Sequence, residues 1–206
     1  MSKLMALFPF TVYLLLAGSI YNLCFNPSLF ALLGPIFVLY LYPVIVYRII
    51  NILSPLKEGV SDIMAKGYNP WWGSHMIQSI YFACPWLEGI LRTIPGAYSF
   101  WLRLWGAKVG KNIYWTPNIE IDDRPLIEIG SHCIVGHKLH FLPHVITPRD
   151  GIMSLYVKKI KIGNECFLGA GSRLGPGVII DDKTSIPILT DGQINQHFST
   201  GNHIKT

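Results

Sequence analysis

Four of the chain's seven histidines fall within thirteen residues: His132, His137, His140 and His144. Imidazole is the side chain whose ordinary titration lies near neutrality, so a histidine held beside a substrate can take and return a proton. A carboxylate beside it would fix the tautomer, and Asp150 and Glu128 are the acidic residues considered for that task. The spacing of His137, His140 and His144 also permits convergence on a metal ion. A third reading places histidines at turns facing solvent, and this must hold for at least two of the four. Directly after them, residues 147–161 interrupt the pattern of the surrounding chain. A protruding loop beside a rigid scaffold is a common place for a site.

The scaffold that would carry these residues is written as a period of six. Val109-Gly110, Trp115 and Ile121 begin successive hexads, and a short register change follows at Asp122-Asp123-Arg124-Pro125-Leu126. Ile129-Gly130, Val135-Gly136 and Phe141 resume the period, and Ile162-Gly163, Leu168-Gly169, Leu174-Gly175, Ile180-Asp181 and Ile186 continue it beyond the loop. Six is neither a helical period nor a strand alternation. It suits a triangular coil in which each hexad gives one short strand and one turn, and three hexads close a rung. The first aliphatic of each hexad points inward, and stacking of rungs makes the core. Cys133 and Cys166 both occupy the inward fourth position. They are expected to stack as reduced core residues rather than to act in chemistry.

These stretches resemble the hexapeptide-repeat acyltransferases. The resemblance is carried by Val109-Gly-Lys-Asn-Ile, Ile129-Gly-Ser-His-Cys-Ile-Val-Gly and Ile162-Gly-Asn-Glu-Cys-Phe-Leu-Gly-Ala-Gly-Ser-Arg-Leu-Gly-Pro-Gly-Val-Ile-Ile180, and it covers residues 103–206. It implies a left-handed parallel β-helix, a homotrimer, and acetyl-CoA or another acyl-CoA as co-substrate lying between neighbouring subunits, with no metal. By the same resemblance one histidine near the interrupting loop is the general base. His144 is the best match, His140 its close competitor, and His137 stands behind them. Asp150 is the third residue expected in the catalytic group. The expected cofactor wall is Gly169, Ala170, Gly171, Arg173, Gly175 and Lys183. Small residues there would admit an extended pantetheine arm, and the two cations would attract its phosphates. Corners of such a coil need small residues in any case. The stretch Phe100 to Asn112 resembles the membrane-attached branch of the family, and also the β-helical tail of some peptide-synthesis enzymes. Gly201-Asn202-His203-Ile204 is similar to a family ending, without its proline. The competing functions are a β-helical zinc hydro-lyase of the carbonic anhydrase kind and a non-catalytic membrane scaffold.

Composition places the coil. The chain has 206 residues, half of them hydrophobic and 14% charged, with a mean hydropathy of +0.37. Ordinary soluble domains carry about 25% charged residues, so neither a wholly soluble protein nor a disordered one fits. No charged side chain occurs between Lys3 and Arg48. That run is about twice what one crossing needs, and Asn22 and Asn26-Pro27-Ser28 divide it. Helices are expected at 4–21 and 29–50. Lys3, Arg48 and Lys57 place both ends, and the rest of the chain, on the cytoplasmic side.

The expectation is therefore a transmembrane helical hairpin at 1–57, aromatic-rich interfacial helices at 58–105, and a β-helix catalytic domain at 106–206. It would be a multi-pass protein of a bacterial inner membrane with its coil in the cytoplasm. The net charge of +5 suits an anionic leaflet, and no motif for nucleic acid accompanies it. A membrane anchor points to an acceptor in the bilayer: a lipid-linked glycan, a lipid or an amphipathic peptide, acylated on a hydroxyl or an amine.

Overall fold

The computed structural model describes residues 3–149 and 151–200. They fall into two compact units. One contains the chain up to Lys57 together with Ala65–Ala83, and the other contains Glu58–Met64 and the chain from Cys84 onward.

The first unit is helical: α1 (Lys3–Ala6), α2 (Phe8–Phe25), α3 (Leu29–Tyr40), α4 (Tyr42–Leu53) and α5 (Pro70–Ala83). Pro9 sits in the first turn of α2, where its missing N–H is an orphan anyway. Asn26-Pro27 ends that helix, and Ser28 caps the next by accepting from the Ala31 amide at 3.1 Å. Leu4–Phe25 is, among the described residues, the one helix long and apolar enough to cross a bilayer alone.

The expected second helix over 29–50 is not continuous. It bends by 46° between α3 and α4. Pro43 is the cause, because it has no N–H for the Leu39 carbonyl four residues back. That carbonyl accepts instead from the Tyr81 hydroxyl of α5, at 2.7 Å.

The second unit is a parallel coil with a helical cap and an antiparallel arm. The strands are β1 (Gly59–Asp62), β2 (Lys108–Val109), β3 (Tyr114–Trp115), β4 (Glu120–Ile121), β5 (Ile127–Ile129), β6 (Ile134–Val135), β7 (His140–Phe141), β8 (His144–Arg149), β9 (Ile152–Val157), β10 (Ile160–Ile162), β11 (Phe167–Leu168), β12 (Arg173–Leu174), β13 (Ile179–Ile180), β14 (Ser185–Ile186), β15 (Asp191–Gly192) and β16 (His197–Phe198). Three parallel sheets form the walls of the coil, in the orders β2-β5-β10-β13-β16, β3-β6-β11-β14 and β4-β7-β12-β15. Val109, Ile129, Ile162, Ile180 and Phe198 stack along the inside of the first wall.

Each hexad therefore supplies one wall segment, as its period requires. The glycine after the inward aliphatic is demanded by the next rung. A Cβ on Gly169 would lie 2.3 Å from the carbonyl atoms of Pro187, and one on Gly130 2.6 Å from those of Gly163. Cys133 and Cys166 are buried in adjacent rungs, as the register of β6 with β11 dictates.

Helices α6 (Trp86–Thr93) and α7 (Ala97–Trp105) precede the coil. Tyr98, Trp101, Leu102 and Trp105 of α7 are buried, and Arg103 donates to the carbonyl of Val109 at 2.8 Å. The aromatic residues expected at an interface divide accordingly. Tyr98, Trp101 and Trp105, with Trp71 and Tyr81 of the first unit, are interior, whereas Trp86 and Phe100 are each 60% exposed. Residues 58–105 also contain a strand where only helices are expected. β1 pairs antiparallel with β9, which pairs with β8, so the interrupting loop is a hairpin completed by a third strand from far upstream.

Candidate active site at the arm of the coil

The arm leaves the coil at the corner between the wall containing β7 and the wall containing β10. His144 is its first strand residue. One rung below, at the same corner, lies the register change read in the sequence. It forms a single 3₁₀ turn, Arg124–Leu126, between β4 and β5, and it projects Asp123 inward from its start. Asp123 is completely buried, and its Oδ2 lies 2.6 Å from His144 Nδ1. The imidazole is 13% exposed.

Nδ1 donates to this carboxylate, so the ring's lone pair is at Nε2. Burial alone would lower the His144 pKa. The hydrogen bond to Asp123, and the charges of Asp123 and Asp122, outweigh burial and raise it above the usual value. A histidine with that partner and that tautomer is equipped to accept a proton.

His140 is arranged differently. Its Nε2 lies 2.7 Å from Asp122 Oδ1, and its Nδ1 is 3.7 Å from Glu120 Oε2. Both ring nitrogens face carboxylates, so neither is presented to an incoming acceptor. His132 and His137 are exposed corner residues, the former in the left-handed region at φ 61°. Among the described residues no three histidine, cysteine, aspartate or glutamate side chains gather as metal ligands would.

Of the acids considered in the sequence, Asp150 lies outside the described residues. Glu128 is taken up by Lys159 at 3.0 Å and Lys108 at 3.2 Å. The carboxylate that meets His144 is Asp123, which sequence reasoning missed. Its signal was the register change itself: extra residues in a strict repeat must leave the coil, and these carry two acids.

The proposed cofactor residues do not form one patch. Gly169, Ala170 and Gly171 make the corner between β11 and β12, and Lys183 makes the corner between β13 and β14. Gly175 follows β12 at the corner that bears the arm, one rung beyond His144. Arg173 projects from β12 in register with His140 and is held by Asp191 through two contacts of 2.7 Å. Lys158, at the base of the arm, donates to Asn195 at 2.7 Å, and a Cβ on Gly177 would strike both. An open groove of about 480 Å³ runs along the outer face of β5, β10 and β13, and His144 does not line it.

No protein-family model matches the chain. Among curated proteins it is similar to one named as a colanic acid biosynthesis acetyltransferase, WcaF, of Escherichia coli (strain K12). The two are 28% identical over 136 residues, covering 56% of this chain and 70% of that protein. It is also 27% identical over 126 residues to the Delta-poly-L-ornithine synthetase of Acinetobacter baumannii (strain AB307-0294), covering 59% of this chain and 9% of that one. Among solved structures, a galactoside acetyltransferase in complex with coenzyme A superposes with a TM-score of 0.43 and 13% identity, covering 69% of this chain and 82% of that one. A maltose O-acetyltransferase from Clostridium difficile 630 gives 0.34 and 15%, covering 58% and 81%.

Proposed function

We propose that this chain is a CoA-dependent acyltransferase, and that the acyl group is acetyl. The observation that carries the reading is the buried Asp123–His144 pair at the corner where the arm leaves the coil. The acetyltransferase name of the 28% identical relative supports the same chemistry.

His144 Nε2 takes the proton from an acceptor hydroxyl or amine as that atom attacks the thioester carbonyl. Asp123 stabilises the imidazolium that results. Backbone amides near the arm stabilise the tetrahedral oxyanion. As the intermediate collapses the C–S bond breaks, and the sulfur leaves with the proton that His144 returns. The products are the acylated acceptor and CoA with a free thiol.

CoA would lie along the corner that carries Gly175 and Gly177, with Gly169–Gly171, Arg173 and Lys183 as candidate contacts. The coil would be left-handed and the assembly a homotrimer. The apolar helices would anchor the chain to the cytoplasmic face of a bacterial inner membrane, crossing it twice if the bent α3–α4 pair forms one span. An anchored enzyme suits an acceptor held in the bilayer, such as a lipid-linked glycan, a lipid or an amphipathic peptide.

Mass spectrometry of membrane extracts, with wild-type and His144→Ala chains, tests this reading. An acyl mass should be lost with the variant. An unchanged acyl profile with a folded variant sinks it.

A further inference from the structure

A chain of buried charges runs from the helical cap toward the Asp123 corner. Arg124 Nε donates to Glu88 Oε1 at 2.7 Å, and Arg92 Nη2 donates to Glu88 Oε2 at 3.1 Å. The same Arg92 nitrogen reaches the Tyr98 hydroxyl at 3.2 Å and the Ile119 carbonyl at 2.8 Å. Arg124 also lies over the Trp101 ring, 5.6 Å from its centre. Its side chain is 1% exposed and that of Glu88 is 4%.

Buried ion networks are a poor route to stability, because desolvation offsets much of the attraction and apolar replacements often do as well. The location suggests what this one achieves. Asp123 and Arg124 are consecutive, and they lie on the insertion that leaves the strand ladder. At the start of the turn the Leu126 N–H donates to the Asp123 carbonyl at 3.0 Å. The Arg124 side chain ties the turn to Glu88 of the cap. Asp123 cannot shift along the corner without drawing the next residue's guanidinium away from Glu88.

We propose that Glu88 and Arg124 are positioning residues for the Asp123–His144 pair, so that helix α6 of the cap, far upstream in the chain, belongs to the reaction site. The ion pair clamps the 3₁₀ turn, and the turn holds the Asp123 carboxylate against His144 Nδ1. The catalytic meaning rests on the reading of His144 as the base. The mechanical coupling between the two pairs does not.

The test is an NMR titration of His144 in the full chain, with the histidines assigned by substitution. Asp123 and Asp122 are the charged groups that bear on His144. Three variants probe the clamp: Glu88→Gln, Arg124→Lys, and the apolar triple Glu88→Leu/Arg92→Met/Arg124→Met. In Glu88→Gln and Arg124→Lys the loosened carboxylate should let His144 titrate at least about half a pH unit lower than in wild type. The triple variant should do the same while keeping its fold. Release of thiol from acetyl-CoA, with membrane lipid extract supplying the acceptor, should fall at least about fivefold in kcat, with KM for acetyl-CoA unchanged.

Folded variants that titrate His144 as wild type does would overturn the proposal. So would unfolding of all three, which would show that the network holds the fold rather than the pair. A moved titration in a protein whose His144→Ala variant still transfers acyl groups would keep the coupling and remove the reading of His144 as the base.

Discussion

Asp123 Oδ2 and His144 Nδ1 are 2.6 Å apart, although twenty residues separate them in sequence. Two departures from the hexad repeat bring them together at one corner of the coil, one supplying the carboxylate and the other the imidazole. Asp123 Oδ1 is buried and has no hydrogen-bond partner among the described residues, and Oδ2 is the oxygen that His144 meets.

Replacing Asp123 by Asn should weaken acyl transfer and displace its pH profile. The base is active when neutral, so the rate falls on the acid side as His144 gains its proton. In wild type that limb should lie above pH ~6.5, the ordinary value, because the carboxylates raise the His144 pKa. In Asp123→Asn the limb should move to lower pH while the plateau falls about 10²-fold or more. A profile of kcat/KM with acetyl-CoA between pH 5 and 9 reads both effects. A wild-type limb below 6.5 would contradict the geometry.

The same pair affects stability, with the opposite pH preference. The folded state binds the His144 proton more tightly than the unfolded chain does. The resulting stabilisation is fully present below the unfolded pKa and is lost as pH rises through the raised folded value. The Tm difference between wild type and His144→Gln should therefore shrink as pH rises through that window. A difference that grew with pH would show that His144 is held neutral instead.

Two glycines should respond to alanine in opposite directions. Gly169→Ala places a methyl 2.3 Å from the Pro187 backbone in the next rung, which should destabilise by about 1–3 kcal/mol or more. Gly89 lies inside α6, with nothing within 4 Å of its added Cβ. Gly89→Ala should stabilise by about 1 kcal/mol through helix propensity alone. Thermal melts of both variants check the pair.

The bend between α3 and α4 should show as coupling between Pro43 and Tyr81. Tyr81→Phe leaves the Leu39 carbonyl without its hydroxyl donor, at a cost of about 1–3 kcal/mol. In Pro43→Ala the restored N–H can serve that carbonyl, so removing Tyr81's hydroxyl from this background should cost less. A double-mutant cycle that comes out additive would separate the two.

The coil was legible because its physics is local. Each hexad repeats the same inward aliphatic and the same close-packed glycine, so Ile129, Ile162 and Ile180 announce their wall before any contact is known. The apolar run was equally plain, since bilayer compatibility depends on composition and length. A cluster of histidines beside a break in the repeat pointed to the corner where His144 meets Asp123.

The tertiary structure decided what depended on residues distant in the chain. His144 and His140 differ in which carboxylates face each ring, a matter of rung stacking rather than spacing. Asp123 replaced the nearby acids considered for His144 because an insertion one rung below folds over the same corner. β1 completed the arm, although no pattern in residues 58–64 names its partner. A repeat specifies its own continuation. Where it is interrupted, the sequence says only that the chain leaves the coil, and packing decides what it meets.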